Sequence, residues 1–207
     1  MLFSIGFVSL FVTGGLSGLF LAQPPVDPVL HATYFVVAHF HLVMGVASIF
    51  GMFAATYFWF PKMFGRYLNE RLGKLHFWIT FVGVYCIFMP MHFIGVEGAI
   101  RRYSTWTDNF LIPLIPVHKF MTIAALITGA AQLIFLFNVF WSMFKGEKAS
   151  VNPWEATSLE WTVASPPPWD NFAGKHPVVY HGPYEYGVPG AAKDYVMQDS
   201  PEKVVAT

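Results

Sequence analysis

Charge is scarce in this sequence. Asp, Glu, Lys and Arg make up 12% of its 207 residues, against about 25% in an ordinary soluble domain. None of the four occurs between Asp27 and Lys62. Acidic and basic side chains balance to zero net charge, so nothing points to a nucleic-acid partner. Cysteine is nearly absent, and Cys86 alone cannot form an intrachain disulfide. No Cys or His cluster has zinc spacing, no glycine-rich phosphate loop occurs, no residues resemble a nucleophile triad, and no segment repeats.

What the chain has is apolar length. Hydrophobic residues make up 55% of it, with 22 Phe. Four charge-free runs, at 1–22, 33–60, 75–96 and 120–144, are long enough to cross a bilayer, which takes about 20 residues. The first lacks a basic start and a small-residue cleavage site, so it reads as a membrane helix rather than a signal peptide. It carries Gly14-Gly15-Leu16-Ser17-Gly18, small residues that permit close approach of a helix or cofactor, and Gln23-Pro24-Pro25 stops it. The second run is expected to end at Pro61 and, being longer than the hydrocarbon core, to tilt or emerge. The expected fold is all-α: four transmembrane helices in 1–144, then an extended Pro/Gly/Trp-rich tail, 145–207, without a core of its own. Pro166-Pro167-Pro168 favours an extended backbone there.

The loops suggest an orientation. Between 61 and 74, Lys62, Arg66, Arg71 and Lys74 face one acid, Glu70. The positive-inside rule makes this solvated loop, the amino terminus and the tail cytoplasmic, and turns loops 23–32 and 97–119 outward. Arg101-Arg102 then stands on the outer side, where an arginine pair needs an anionic partner. Nearby sequence offers only Glu97 and Asp108.

Inside the second run lie His39 and His41. A helix turns about 100° per residue, so the two imidazoles project roughly 200° apart and cannot share one metal ion. Each can serve a separate metal, and imidazole is the usual protein ligand of haem iron. One helix between two cofactors is therefore one reading; a hydrogen-bonded structural pair is the other, although histidine inside a membrane helix is costly and usually functional. The pair lies roughly 9–12 Å from the outer helix end, so a haem there can turn its propionates to Arg101-Arg102; lipid headgroup contact is the alternative for the arginines. Phe40 lies between the histidines as a cofactor contact or as plain packing. His31, beside Asp27, is a weak candidate for a hard cation, and His76 and His92 read as interfacial or hydrogen-bonded.

The segment His31-Ala32-Thr33-Tyr34-Phe35-Val36-Val37-Ala38-His39-Phe40-His41 closely resembles the tenth-helix motif of subunit I of the haem–copper oxidases of the cytochrome c oxidase type. The resemblance continues through Trp59-Phe60-Pro61, Leu75-His76-Phe77, Pro90-Met91-His92-Phe93-Ile94-Gly95 and Arg101-Arg102-Tyr103-Ser104. It reaches back to Gly14–Gly18 and on to Asn152-Pro153-Trp154 and Leu159-Glu160-Trp161, ending near Phe172. It implies that His39 is the catalytic residue, axial ligand of the high-spin haem where oxygen is reduced. It implies that His41 is one of two axial ligands of the low-spin haem, and that Tyr34, Arg101 and Arg102 bind haem propionates. His31 is implied as a magnesium ligand. Ala32 stands where the family commonly has Asp, so the expected magnesium site is weak or absent.

That family's subunit I has twelve membrane helices, and this chain resembles the last four. Copper ligands, the cross-linked tyrosine, the other low-spin ligand and the main proton-channel residues belong to helices outside it, so a split subunit or a fragment is expected. The implied cofactors are two a-type haems, with copper held elsewhere. The implied partners are the chain with the missing helices, oxidase subunits II and III, cytochrome c or quinol as electron donor, and the lipid bilayer. The implied location is a bacterial plasma membrane rather than a mitochondrial inner membrane. In that complex the chain serves reduction of oxygen to water coupled to proton pumping. Rival readings are a haem-binding electron-transfer protein without oxygen chemistry, and a non-catalytic remnant or assembly subunit.

Overall fold

The computed structural model describes residues 1–102, 111–187, 189 and 193–201. Tyr103, Ser104 and Asp108, named above, lie outside the described residues. Among the described residues the regular structure is helical, with only isolated β-bridges and no strand. The elements are α1 (Leu2–Leu21), α2 (Asp27–Leu30), α3 (Tyr34–Phe40), α4 (Ala47–Phe64), α5 (Glu70–Val96) and α6 (Ile115–Lys145). Short 3₁₀ turns occupy Ile112–Leu114 and Leu159–Trp161. Four helical spans, Leu2–Leu21, Tyr34–Phe64, Glu70–Val96 and Ile112–Lys145, are long and apolar enough to cross a membrane. The all-α fold with four candidate membrane spans is thus as expected.

The second span is not one regular helix. Between α3 and α4, residues His41–Val46 form a π-helix, a widened turn often found at functional sites. At its start Val37 O accepts both the backbone N–H of His41 and its ring Nδ1–H.

Nor does Pro61 end the span. The helix runs through it to Phe64 and stops at Gly65, whose φ of +64° is the left-handed conformation that closes helices. Proline removes one helical N–H, and the Trp154 indole donates to Phe58 O in the adjoining turn at 2.9 Å.

The chain forms two compact units. The first comprises Met1–Thr56 and Glu70–Asn138. In it α1 buries Phe3, Gly6, Leu10, Gly14 and Ser17, spaced three and four apart: Phe3 meets Phe50 of α4 and Phe77 of α5, Gly14 meets the π-helical stretch and Ser17 meets His39 of α3. Gly14 is required there, because a Cβ would come within 2.8 Å of Leu42 Cβ and of Val43 Cγ2. α3 packs in turn on α5.

The second unit comprises Tyr57–Asn69 and Val139–Thr207. The expectation of a tail without a core is not met here: Phe60, Thr157, Trp161 and Val196 are all buried. Gln198 knits distant parts, its backbone N–H reaching Thr157 O at 3.1 Å and its Oε1 accepting from Leu159 N at 3.0 Å. Nor is the basic loop simply solvated. Lys62 is buried, donates to Val163 O at 2.7 Å, Val151 O at 3.3 Å and Ala164 O at 3.4 Å, and lies 5.0 Å from the Trp161 ring centre. Arg66 donates to Gly146 O at 2.5 Å.

Hydrogen bonds from a charged donor contribute roughly 1.5–3 kcal/mol each. Lys62→Met keeps the apolar stem and takes this donor from Val163 O and Ala164 O, while Val151 O keeps Ser165 Oγ at 3.3 Å. The expected result is faster proteolytic cleavage within 150–165, with the membrane spans still protected. Unchanged cleavage would show that Lys62 does not hold this segment.

Candidate metal centre

The centre is built within the first unit, on α1, α3 and the π-helical stretch. Thr33 caps α3, its Oγ1 accepting from Phe35 N at 3.2 Å. His39 lies near the end of α3 and faces α1. Its Nδ1 is 2.8 Å from Gly14 O and 3.1 Å from Ser17 Oγ. A carbonyl only accepts, so Nδ1 carries the proton and donates. Nε2 is therefore the unprotonated nitrogen, its lone pair available to a metal. Gly18 makes room for the ring: a Cβ there would come within 2.7 Å of His39 Cε1.

The same logic fixes His41. Its Nδ1 donates to Val37 O at 2.8 Å, which again leaves Nε2 as the acceptor nitrogen. The His41 ring stacks on Phe88 of α5, 4.9 Å between centres and 16° between planes. His39 therefore meets α1 while His41 meets α5. Phe40 is exposed at 40% and touches the His41 ring at 4.3 Å.

The two ends of the expected propionate site meet through the backbone. Thr33 bridges Ile100 antiparallel, Tyr34 N donates to Ala99 O at 2.9 Å, and Arg101 N donates to Ala32 O at 2.9 Å. Residues 65 to 69 apart in sequence are thereby juxtaposed, beside a core of Ile94, Ala99, Leu111 and Met121 on which Tyr34 packs. Among the described residues neither Arg101 nor Arg102 forms an ion pair with a carboxylate.

His31 is exposed, with Nδ1 3.5 Å from Asp27 Oδ2. Ala32 has φ of +61°, a conformation in which Asp and Asn are enriched and alanine is uncommon. Among the described residues no group of three or more His, Cys, Asp or Glu is placed to hold a metal ion together.

Sequence reasoning did not single out Ser17 or Phe88. The Gly14–Gly18 run of small residues was the signal for the first; nothing marks the second among so many phenylalanines. His76 is fully buried and hydrogen-bonded to Gln132 Oε1 at 3.0 Å, and Gln132 Nε2 donates to Thr80 Oγ1 at 3.1 Å. His92 Nδ1 donates to Phe88 O at 3.1 Å.

Comparison with known proteins supplies an independent line. A profile of the family described as cytochrome C and quinol oxidase polypeptide I matches residues 1–128. The chain is 51% identical over 204 residues to the alternative cytochrome c oxidase subunit 1 of Bradyrhizobium diazoefficiens, covering 97% of this chain and 34% of the relative. It is 47% identical over 204 residues to cytochrome c oxidase subunit 1 of a Synechocystis species, covering 99% of this chain and 35% of the relative. The chain thus spans about a third of the length of the curated relatives it matches. A solved haem–copper terminal oxidase dimer aligns with TM-score 0.62 at 19% identity, over 72% of this chain and 27% of that one, a likeness of fold alone.

Proposed function

Given that the chain belongs to the cytochrome C and quinol oxidase polypeptide I family, we propose that it supplies two axial haem ligands to a terminal respiratory oxidase. His39 is the ligand of the high-spin haem and His41 one ligand of the low-spin haem. Residues 1–144 form the haem-binding membrane region and 145–207 a cytoplasmic tail. The observation that carries the reading is the pair of Nδ1–H bonds to backbone carbonyls, which leaves both Nε2 atoms free on a helix contacted by α1 at one histidine and α5 at the other.

When bound, haem supplies an iron centre that accepts and passes on single electrons. The residues of this chain bind and orient it. Gly14 O and Val37 O fix the ring tautomers, raise the donor strength of the ligand nitrogens and set the imidazole planes. Gly18 keeps His39 from being displaced. Arg101, Arg102 and Tyr34 answer the propionates, arginine being suited to bidentate carboxylate binding. The haems are of a type, and copper is held by helices of a partner chain that packs against these four. Subunits II and III complete the assembly, with cytochrome c or quinol as donor. The complex reduces oxygen to water with proton pumping in a bacterial plasma membrane.

The test is the reduced-minus-oxidised and carbon-monoxide difference spectra of the complex purified through a tag on this chain. Signals from a low-spin haem and from a carbon-monoxide-reactive haem are expected together. A low-spin signal alone would favour electron transfer without oxygen chemistry; no haem would favour a non-catalytic subunit.

A magnesium site at His31 is expected to be weak or empty. After growth in manganese, the complex should lack a Mn(II) paramagnetic signal with imidazole coupling, and Ala32→Asp should produce one. Asp restores an oxygen ligand in a backbone conformation it tolerates better than Ala. Such a signal in the unaltered complex would contradict this.

A further inference from the structure

The contacts of His39 include one side chain that the ligand assignment does not use. Ser17 is buried on α1, one turn beyond Gly14. Its Oγ donates to Gly14 O at 2.6 Å and lies 3.1 Å from His39 Nδ1. Gly14 O also accepts from His39 Nδ1, at 2.8 Å. The direction of each bond follows from the atoms. Nδ1 must donate to the carbonyl, so the hydroxyl proton cannot also point at Nδ1. It goes to Gly14 O, which turns a hydroxyl lone pair toward the same Nδ1–H. The imidazole N–H is thus shared between a carbonyl and a hydroxyl oxygen. That hydroxyl is polarised by its own donation, which makes it a better acceptor.

We propose that Ser17 is a positioning residue: through His39 Nδ1–H it raises the donor strength of Nε2 and holds the imidazole plane at the high-spin haem. A metal-bound imidazole whose other N–H is hydrogen-bonded is the stronger base, and here one hydroxyl adds a second acceptor to the one the backbone supplies. The effect is confined to His39. His41 Nδ1 has the carbonyl of Val37 and no hydroxyl partner among the described residues. The chain therefore gives its two haem ligands unequal donor strength, greater at His39. The inference rests on the reading of His39 as an iron ligand.

The experiment uses the assembled, purified complex with Ser17→Ala, Ser17→Cys and Ser17→Thr in this chain. Resonance Raman spectra of the reduced, ligand-free high-spin haem report the iron–imidazole stretch, and redox titration reports its midpoint potential. Ser17→Ala is expected to move the stretch to lower frequency and raise the potential, while the low-spin haem stays unchanged. Ser17→Thr, which keeps the hydroxyl, is expected to hold both at the unaltered values. Should Ser17→Ala fail to assemble, Ser17→Cys preserves size with a weaker acceptor and is expected to shift both in the same direction. An unmoved stretch in the alanine or cysteine variant overturns the proposal, as does a threonine variant that fails to restore it. A His39→Gly variant separates this from the underlying assignment. An iron–imidazole band that persists there without added imidazole means that His39 is not the ligand; a band lost there yet indifferent to Ser17 means that only the Ser17 role is wrong.

Discussion

His41→Ala is expected to abolish the low-spin haem signal of the assembled complex and leave the carbon-monoxide-reactive haem in place; His39→Ala is expected to do the reverse. The clean separation follows from the way the two rings are held. His39 gives its Nδ1–H to Gly14 O on α1, whereas His41 gives its own to Val37 O and stacks on Phe88 of α5. One iron cannot reach both Nε2 atoms, so neither ligand can replace the other. An alanine leaves a cavity where a strong nitrogen donor stood. The loss in each variant should be complete for its own haem, read from optical spectra of the purified complex. If both substitutions leave both haem spectra intact, the ligand assignment is wrong.

The second large effect concerns autonomy. Expressed without a partner chain, residues 1–207 are expected to insert as four helices but to hold no haem stably, and then to aggregate or be degraded. Each haem needs a wall on the far side of its imidazole. Much of each span faces outward: Phe120, Ile123, Leu126, Leu133, Leu136 and Phe140 on α6 are all exposed, as are Leu16, Leu19 and Phe20 on α1. A low-spin haem would also need a second ligand. His76 is buried among Phe3, Phe53 and Phe135 with its Nε2 on Gln132, and His31 precedes His41 on the same short segment. Arg101 and Arg102 would face the outer boundary without propionates, and unpaired polar groups near lipid are destabilising. Co-expression with the chain that carries the other helices should restore haem binding, measured by pyridine-haem quantification after purification in detergent. Stoichiometric haem on the lone monomer would favour the electron-transfer reading instead.

The helices were legible because membrane crossing leaves a crude record, about twenty residues without charge. Their exact ends were not. Pro61 looked like a stop, yet Gly65 performs that role, because proline costs one bond whereas a left-handed residue redirects the chain. His39 and His41 announced themselves by type and spacing. The features that tune them did not. Gly14 O and Val37 O are backbone acceptors, which any residue supplies, and the π-helical turn at His41–Val46 has no compositional mark. The meeting of Thr33 with Ile100 depends on how α3 and α5 pack. The order within the tail was hidden for a similar reason. Lys62 looks like a topology charge until three carbonyls distant in sequence surround it.

Whether one helix ligates two different irons can be read from a cryo-EM map of the complex purified through a tag on this chain. Two haems are expected on opposite sides of the second span, one iron coordinated by His39 Nε2 and the other by His41 Nε2, with each Nδ1 still on its backbone carbonyl. A map in which either Nε2 meets no iron, or in which a single haem is bound, would contradict the ligand assignment.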